Sequence, residues 1–225
     1  MTTPPTRLPL ASRARPRSFG LPGACLLAVT LAALVPLSGC VPVVLGGAMV
    51  GGALAATDRR TAGTQIEDQS IEFKAANRVR EQLGGRGNVS AVSYNRTILL
   101  TGEVPTEADK AAAEQAVGRV DNVRGVVNEL AVMGSTSLTS RANDGVLATK
   151  VKATFVDAGD LSANAFKVTA ERGTIYLMGR VTEREANAAT ELARSVSGVQ
   201  RVVRVFEIIT EAELAALRPP PAPAR

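Results

Sequence analysis

Two stretches of the chain carry the same order of apolar and polar positions. Thr97 to Leu130 reads TILLTGEVPTEADKAAAEQAVGRVDNVRGVVNEL, and Thr174 to Val205 reads TIYLMGRVTEREANAATELARSVSGVQRVVRV. Each predicts a strand, a Gly turn, an Ala-rich helix, a second Gly turn and a strand. Gly102 pairs with Gly179 and Val104 with Val181; with Pro105 skipped, Glu107 pairs with Glu183. Val120, Val123 and Val126 then match Val196, Val199 and Val202. Repetition of this kind fixes the architecture before any finer reading.

The residues upstream of each stretch repeat as well. Ile71, Ala75, Val79 and Leu83 recur every four positions, an apolar stripe on a helix. Asp68 is its expected N-cap, and Gly84-Gly85 end it. NVSAVSYNRTILLTG then alternates as a hairpin turning at Tyr94–Arg96. Gly102 is expected where the backbone takes an angle other residues resist, or turns closely. Thr106 caps a helix whose small face is Ala111, Ala112, Gln115 and Ala116, and Val123 to Met133 is the last strand. In the second copy Leu147, Val151 and Phe155 form the stripe of a helix over about 144–156. Phe166–Ala170 and Thr174–Met178 form the hairpin, Glu183–Val196 the Ala-rich helix and Val199–Ile209 the last strand. Glu211–Leu217 predicts a short terminal helix. The fold class is α+β: two tandem modules, each α-β-β-α-β, with two helices on a three-stranded sheet. The modules span 64–133 and 141–210, joined by the polar linker GSTSLTS, 134–140, and followed by a tail, 211–225, whose Pro-rich end is expected to be disordered.

The N-terminal part reads differently. Residues 1–39 hold Arg7, Arg13, Arg15 and Arg17 and no acid, then an apolar run from Ala24 to Pro36. This is the layout of a secretory signal, with an apolar run too short to span a bilayer. Leu37-Ser38-Gly39-Cys40 resembles a bacterial lipobox, which implies cleavage before Cys40 and acylation of that residue. Residues 40–63 are then a lipidated, Gly-rich tether, with Gly47 and Gly51 at helix-packing spacing and Asp58-Arg59-Arg60 marking its exit into water.

The signal changes the charge argument. Four of the 26 basic residues and none of the 21 acidic ones lie in 1–39, so removal takes the net charge from +5 to +1. The basic surplus expected of a nucleic-acid partner goes with it. Residues 64–133 carry 8 basic and 10 acidic side chains, and 139–210 carry 10 and 8, so the second module better suits an anionic partner. Cys25 leaves with the signal and Cys40 is acylated, so no disulfide is expected.

The chain has no His and no Trp. Ser-His and Cys-His catalysis and the commonest zinc sites are absent from the repertoire, and no cofactor is implied. Glu183 and Glu185 follow Thr182 as first-turn acids after an N-cap rather than as a catalytic pair. Gly84-Gly85-Arg86-Gly87 leads from helix to strand, the reverse of a phosphate loop. An enzyme would need a convergent set of titratable groups, such as a buried pair of carboxylates. One surface feature stands out: Val146, Lys150 and Thr154 form a stripe beside the core stripe, with Lys152 to one side and Arg141 before it. An apolar residue among cations suits an anionic lipid surface.

The succession of strand, Gly, Val181-Thr182-Glu183-Arg184-Glu185-Ala186, Ala-rich helix, Gly-Val and strand resembles the BON domain. The resemblance occurs twice and covers about 65–209. With the lipobox, Ala56-Thr57-Asp58-Arg59-Arg60, Gly63-Thr64-Gln65 and Asn143-Asp144, the whole is similar to dual BON-domain outer-membrane lipoproteins. That resemblance implies a non-enzymatic protein anchored in the outer membrane through Cys40 and facing the periplasm. It further implies binding to anionic phospholipid, phosphatidylglycerol or cardiolipin, through the first helix of the second domain. The candidate lipid-binding residues are Arg141, Val146, Leu147, Lys150, Val151, Lys152 and Thr154. Roles in envelope integrity and outer-membrane protein assembly are also implied. Val146 stands where the family relative has Trp, a weaker interfacial anchor. The alternative is a periplasmic adaptor that docks on an assembly factor and meets lipid only through its acyl group.

Overall fold

The computed structural model describes residues 58–217; Cys40, the tether glycines and the tail from residue 218 lie outside them. The first module runs α1 (Ala62–Leu83), β1 (Asn88–Tyr94), β2 (Thr97–Val104), α2 (Glu107–Gly118), β3 (Gly125–Asn128) and β4 (Ala131–Val132). The second runs α3 (Leu138–Asp157), a 3-10 turn (Ala163–Ala165), β5 (Phe166–Glu171), β6 (Thr174–Val181), α4 (Glu183–Ser195) and β7 (Arg201–Ile208), with α5 (Glu211–Ala216) after it. In each, a hairpin pairs antiparallel and the last strand lies parallel to the hairpin's second strand. The register repeats: Thr97 lies opposite Gly125, and Thr174 opposite Arg201.

Side-chain alternation along the strands sets the layers. Ile98, Leu100 and Val104 meet Ile71, Ala75, Val79 and Leu83 of α1 in the first core. Ile175, Leu177 and Val181 meet Leu147, Val151 and Phe155 of α3 in the second. The intervening residues point the other way and meet each other: Tyr94, Leu99, Tyr176 and Met178 form a third buried cluster, flanked by Val92, Val127, Val203 and Val205. The two sheets therefore stack through their second faces, with helices on the outside.

Several differences from the sequence reading have local causes. The N-cap of α1 is Thr61, which accepts from Thr64 N. Asp68 lies two turns inside, and its carboxylate accepts from Asn95 N and Arg96 N, both 2.8 Å, and from Ser93 Oγ at 2.7 Å. Asn95 and Arg96 both have positive φ, the two-residue turn that suits the strand twist, and their free amides need that acceptor. Asp144 does the same in the second module, accepting from Arg172 N at 2.9 Å and Gly173 N at 3.0 Å. The buried face of α2 is Asp109, Ala113 and Val117; Ala111 and Gln115 are exposed, because the helix turns Asp109 inward to Arg86 at 2.8 Å. The last strand of the first module is split: Leu130 turns into the core, and Asn128 Oδ1 takes its amide at 3.2 Å. Helix α3 starts at Leu138, within the segment read as linker, because Ser137 caps it. Gly102 has φ +112, and a Cβ there would lie 2.0 Å from Asn88 O; its twin Gly179 shows the close approach without the positive angle.

The seam between the sheets also buries charge. Glu103 is fully buried and accepts from Arg172 Nη1 at 3.0 Å and Thr136 Oγ1 at 3.1 Å. Burial would raise its pKa, but these donors, Thr136 N and Asn88 hold it below the ordinary value. Asp68 and Glu185 behave alike: burial is overcome by backbone amides and by the guanidinium of Arg60 or Arg59. Glu171 goes up, by burial and then by the charge of Glu103.

Asp144→Ala leaves two half-buried turn amides without their acceptor and should lower stability by about 1–3 kcal/mol in urea denaturation. The lowered groups stabilise the fold above the ordinary carboxylate range, near pH 4, and lose that contribution as pH falls through their folded values. Glu171 has the opposite sign, its cost arising as pH rises through its raised folded value. Glu171→Gln should therefore raise the unfolding temperature at neutral pH, with a gain that shrinks on acidification.

Candidate lipid-facing helix

Helix α3 is apolar on two sides. Its core stripe, Leu147, Val151 and Phe155, packs on the second sheet. Its outer side carries Leu138, Ala142, Gly145, Val146, Thr149, Ala153 and Val156 at spacings of three and four. Leu138 is 76% exposed, Val146 55% and Val156 62%. Thr149 Oγ1 donates back to Gly145 O at 2.9 Å and Thr154 Oγ1 to Lys150 O at 3.0 Å. Both hydroxyls are thus satisfied within the helix, and desolvating them costs less. A water-facing helix ordinarily reserves this side for charge.

The predicted residues separate by place. Arg141, Val146 and Lys150 are exposed, and Thr154 is half-buried. Arg141 donates to Asn88 Oδ1 at 3.2 Å. Among the described residues neither Arg141 nor Lys150 is held in an ion pair. Leu147 and Val151 are core residues that hold the helix on the sheet, which corrects their place in the contact set. Lys152 is half-buried; its ammonium donates to Phe166 O at 2.9 Å and to Ala163 O. Burial lowers its pKa, and the nearby charge of Asp58 opposes that shift. Leu138, Ala142, Ala153 and Val156 extend the exposed set beyond the residues predicted from the sequence, and a second apolar stripe at helical spacing is the signal that marks them.

A cleft lies on each side of α3. One, about 590 Å³, is polar and lined by Val146, Lys150, Arg172, Gly173 and Gly198 among others. The other, about 530 Å³, is lined by Thr149, Lys152, Ala153, Val156, Phe166 and Val168 among others. The buried carboxylates Glu103 and Glu171 line neither cleft, and Glu103 is occupied by Arg172 and Thr136. Glu185, a first-turn acid as expected, is buried and closes a capping box with Thr182. Among the described residues no cluster of three or more His, Cys, Asp or Glu could hold a metal, and no helix is long and apolar enough to cross a membrane.

Asp58-Arg59-Arg60 does not point into water. Arg59 forms a bidentate pair with Glu185, Nη1 to Oε2 at 2.8 Å and Nη2 to Oε1 at 2.6 Å, and donates to Arg180 O at 2.8 Å. Arg60 reaches Asp68 at 2.8 Å, and its guanidinium lies 4.3 Å from the centre of the Tyr94 ring. Nothing in the local pattern around residues 58–60 signals partners more than a hundred positions away.

Comparison with known proteins agrees with the duplication. The BON domain family matches residues 68–134 and 143–210. The chain is 42% identical over 185 residues to "Outer membrane lipoprotein DolP" of Haemophilus influenzae, covering 81% of this chain and 95% of that protein. It is 29% identical over 154 residues to a "21 kDa hemolysin" of Actinobacillus pleuropneumoniae, covering 68% and 79%. The C-terminal domain of CdsD, a type III secretion structural protein of Chlamydia trachomatis, superposes with a TM-score of 0.26 at 11% identity over 60% of this chain and 96% of that one, too slight a likeness to bear on function.

Lys152 allows a separation of structure from binding. Lys152→Met leaves two carbonyls without their donor and should cost about 1–2 kcal/mol in thermal or urea unfolding. Sedimentation of the same variant with anionic vesicles should stay within about threefold of the parent, because the ammonium is turned to its own backbone.

Proposed function

The chain belongs to the BON-domain family, as a tandem-BON outer-membrane lipoprotein of the DolP kind, and from that premise we propose that it is a membrane-contact protein without enzymatic activity. Acylation of Cys40 holds it in the outer membrane on the periplasmic side. The outer side of α3 then rests against anionic phospholipid, phosphatidylglycerol or cardiolipin. In this role it supports envelope integrity and outer-membrane protein assembly.

The observation that carries the reading is the exposed apolar stripe of α3, edged by Arg141 and Lys150. Burying such a stripe in the interfacial region gains the transfer energy of its apolar area, and each cation near an anionic surface adds about 1 kcal/mol. An acyl chain alone gives marginal membrane binding, so a second contact makes placement firmer and sensitive to headgroup charge. The polar cleft holding Lys150 and Arg172 gives phosphate oxygens room beside the stripe.

A second reading, the adaptor, has its own observation. On α1, Ile66 and Phe73 are 69% and 71% exposed, on the side turned away from the first core. Large apolar side chains in that setting suit a protein partner.

Vesicle sedimentation of the chain from residue 58 onward, with no other protein present, separates the two. The parent should co-sediment with phosphatidylglycerol vesicles and stay soluble with neutral ones. Val146→Glu with Lys150→Glu reverses one charge and adds another, and should weaken binding by about tenfold to a hundredfold with an unchanged unfolding temperature. Val146→Trp should strengthen it. Equal sedimentation of parent and double variant sinks the lipid reading and leaves the adaptor.

A further inference from the structure

The three residues that leave the tether bind both modules at once. Arg59 reaches the second module: its guanidinium takes both oxygens of Glu185 and also the carbonyl of Arg180, with 9% and 5% of the two side chains exposed. Arg60 reaches the first: it pairs with Asp68, the carboxylate that holds the β1–β2 turn, and covers the ring of Tyr94. Tyr94 lies in the seam between the sheets. Burial, then the charge of Asp58, push its hydroxyl up to about 12, so it stays protonated. It donates to Ala165 O at 3.4 Å and accepts from Arg180 N at 3.5 Å, both in the second module. Asp58 in turn takes Arg60 Nη2 at 2.8 Å, and Ala165, which Tyr94 reaches, closes the 3-10 turn whose Ala163 O accepts from the ammonium of Lys152 on α3.

We propose that Asp58-Arg59-Arg60 is a strap that fastens the lipid-bearing N-terminal segment across the seam, beside α3, so that anchor and lipid-facing helix address one membrane together. The positioning half of this rests on the lipid reading above; the docking half does not. Without the strap the anchor enters the molecule through α1, and the second module is held to it through the first. With it, Arg59 ties the anchor directly to the module that carries α3. A second contact so placed benefits from a high effective concentration at the membrane; a misdirected one loses it without any change in intrinsic affinity. Arginine suits the task, since its planar fork matches a carboxylate in two parallel bonds and keeps its charge when half-buried.

Trypsin tests the docking half without lipid. Cleavage after Arg59 and Arg60, followed by mass spectrometry on the chain 40–225 carrying Cys40→Ser, should be slow in the parent. Glu185→Gln keeps the cleavage sites and a side-chain oxygen for the α4 cap but removes the charge, and should speed cleavage by about tenfold or more. Parent cleavage as fast as at an exposed arginine, or no acceleration in Glu185→Gln, overturns the strap.

The positioning half is read in the acylated chain in vesicles, with an environment-sensitive fluorophore on Ala142→Cys. Arg59→Ala with Arg60→Ala should lower the membrane-inserted fraction severalfold in the acylated protein. The same pair of substitutions should leave vesicle titration of the unacylated chain unchanged. A purely structural role of the arginines would weaken both alike, and that result overturns the positioning role. A parent fluorophore that stays in water removes the positioning half together with the lipid reading, while the trypsin result still decides the docking half.

Discussion

A carboxylate set two turns inside the first helix of each module holds the rest in register. Asp68 and Asp144 sit on the helix flank that faces the hairpin turn, and each accepts two backbone amides from that turn. A two-residue turn with positive φ leaves amides that no strand can satisfy, so the acceptor must come from outside the sheet. Once the turn is fixed to the helix, the hairpin's inward residues meet the apolar stripe of that helix and its outward residues face away. That outward face is what the modules use to find each other, through Tyr94, Leu99, Tyr176 and Met178.

The same carboxylate links the core to the seam. In the first module Asp68 also takes Arg60, so one buried charge serves the turn and the incoming chain together. Arg172, whose amide is held by Asp144, extends its guanidinium across the seam to Glu103. A buried charge that lost its partner would cost several kcal/mol, so an arrangement of the modules that separated Arg172 from Glu103 would be strongly disfavoured. With the sheets stacked back to back, α1 and α3 lie on outer sides, and each exposes apolar residues that neither module covers.

The duplicated order of elements was legible because its signals are local and periodic. Val181 and Thr182 mark strand end and cap wherever they stand, and the four-residue stripe of α1 and α3 needs no partner to be seen. The cap at Thr106 was read correctly for the same reason. Gly102 and Gly179, expected at turns, lie instead inside β2 and β6, where the close approach of a neighbouring carbonyl leaves no room for a side chain. Asp68 does not declare its role in the sequence, because a capping residue and a turn-holding residue have the same chemistry, and only tertiary placement separates them. The buried face of α2 differs from the one the sequence predicts, since alanines give little contrast and Asp109 turns inward to meet Arg86. Arg59 lay beyond sequence reasoning: an arginine after a Gly-rich tether carries no mark of a glutamate 126 positions on.

The candidate surface was half legible. Val146, Lys150 and Arg141 could be placed on an outer side by spacing alone, whereas Leu147 and Val151 belong to the core that supports them. What the structure adds is the extent of the stripe, from Leu138 to Val156. The central claim is that this side of the molecule, and not the α1 side, meets the bilayer. Paramagnetic lipid broadening of backbone amides, with the acylated chain in anionic bilayers, measures it directly. Ala142, Val146, Thr149 and Ala153 should be broadened strongly while Ile66 and Phe73 keep their signals. Broadening at Ile66 and Phe73 with α3 unaffected would contradict the account.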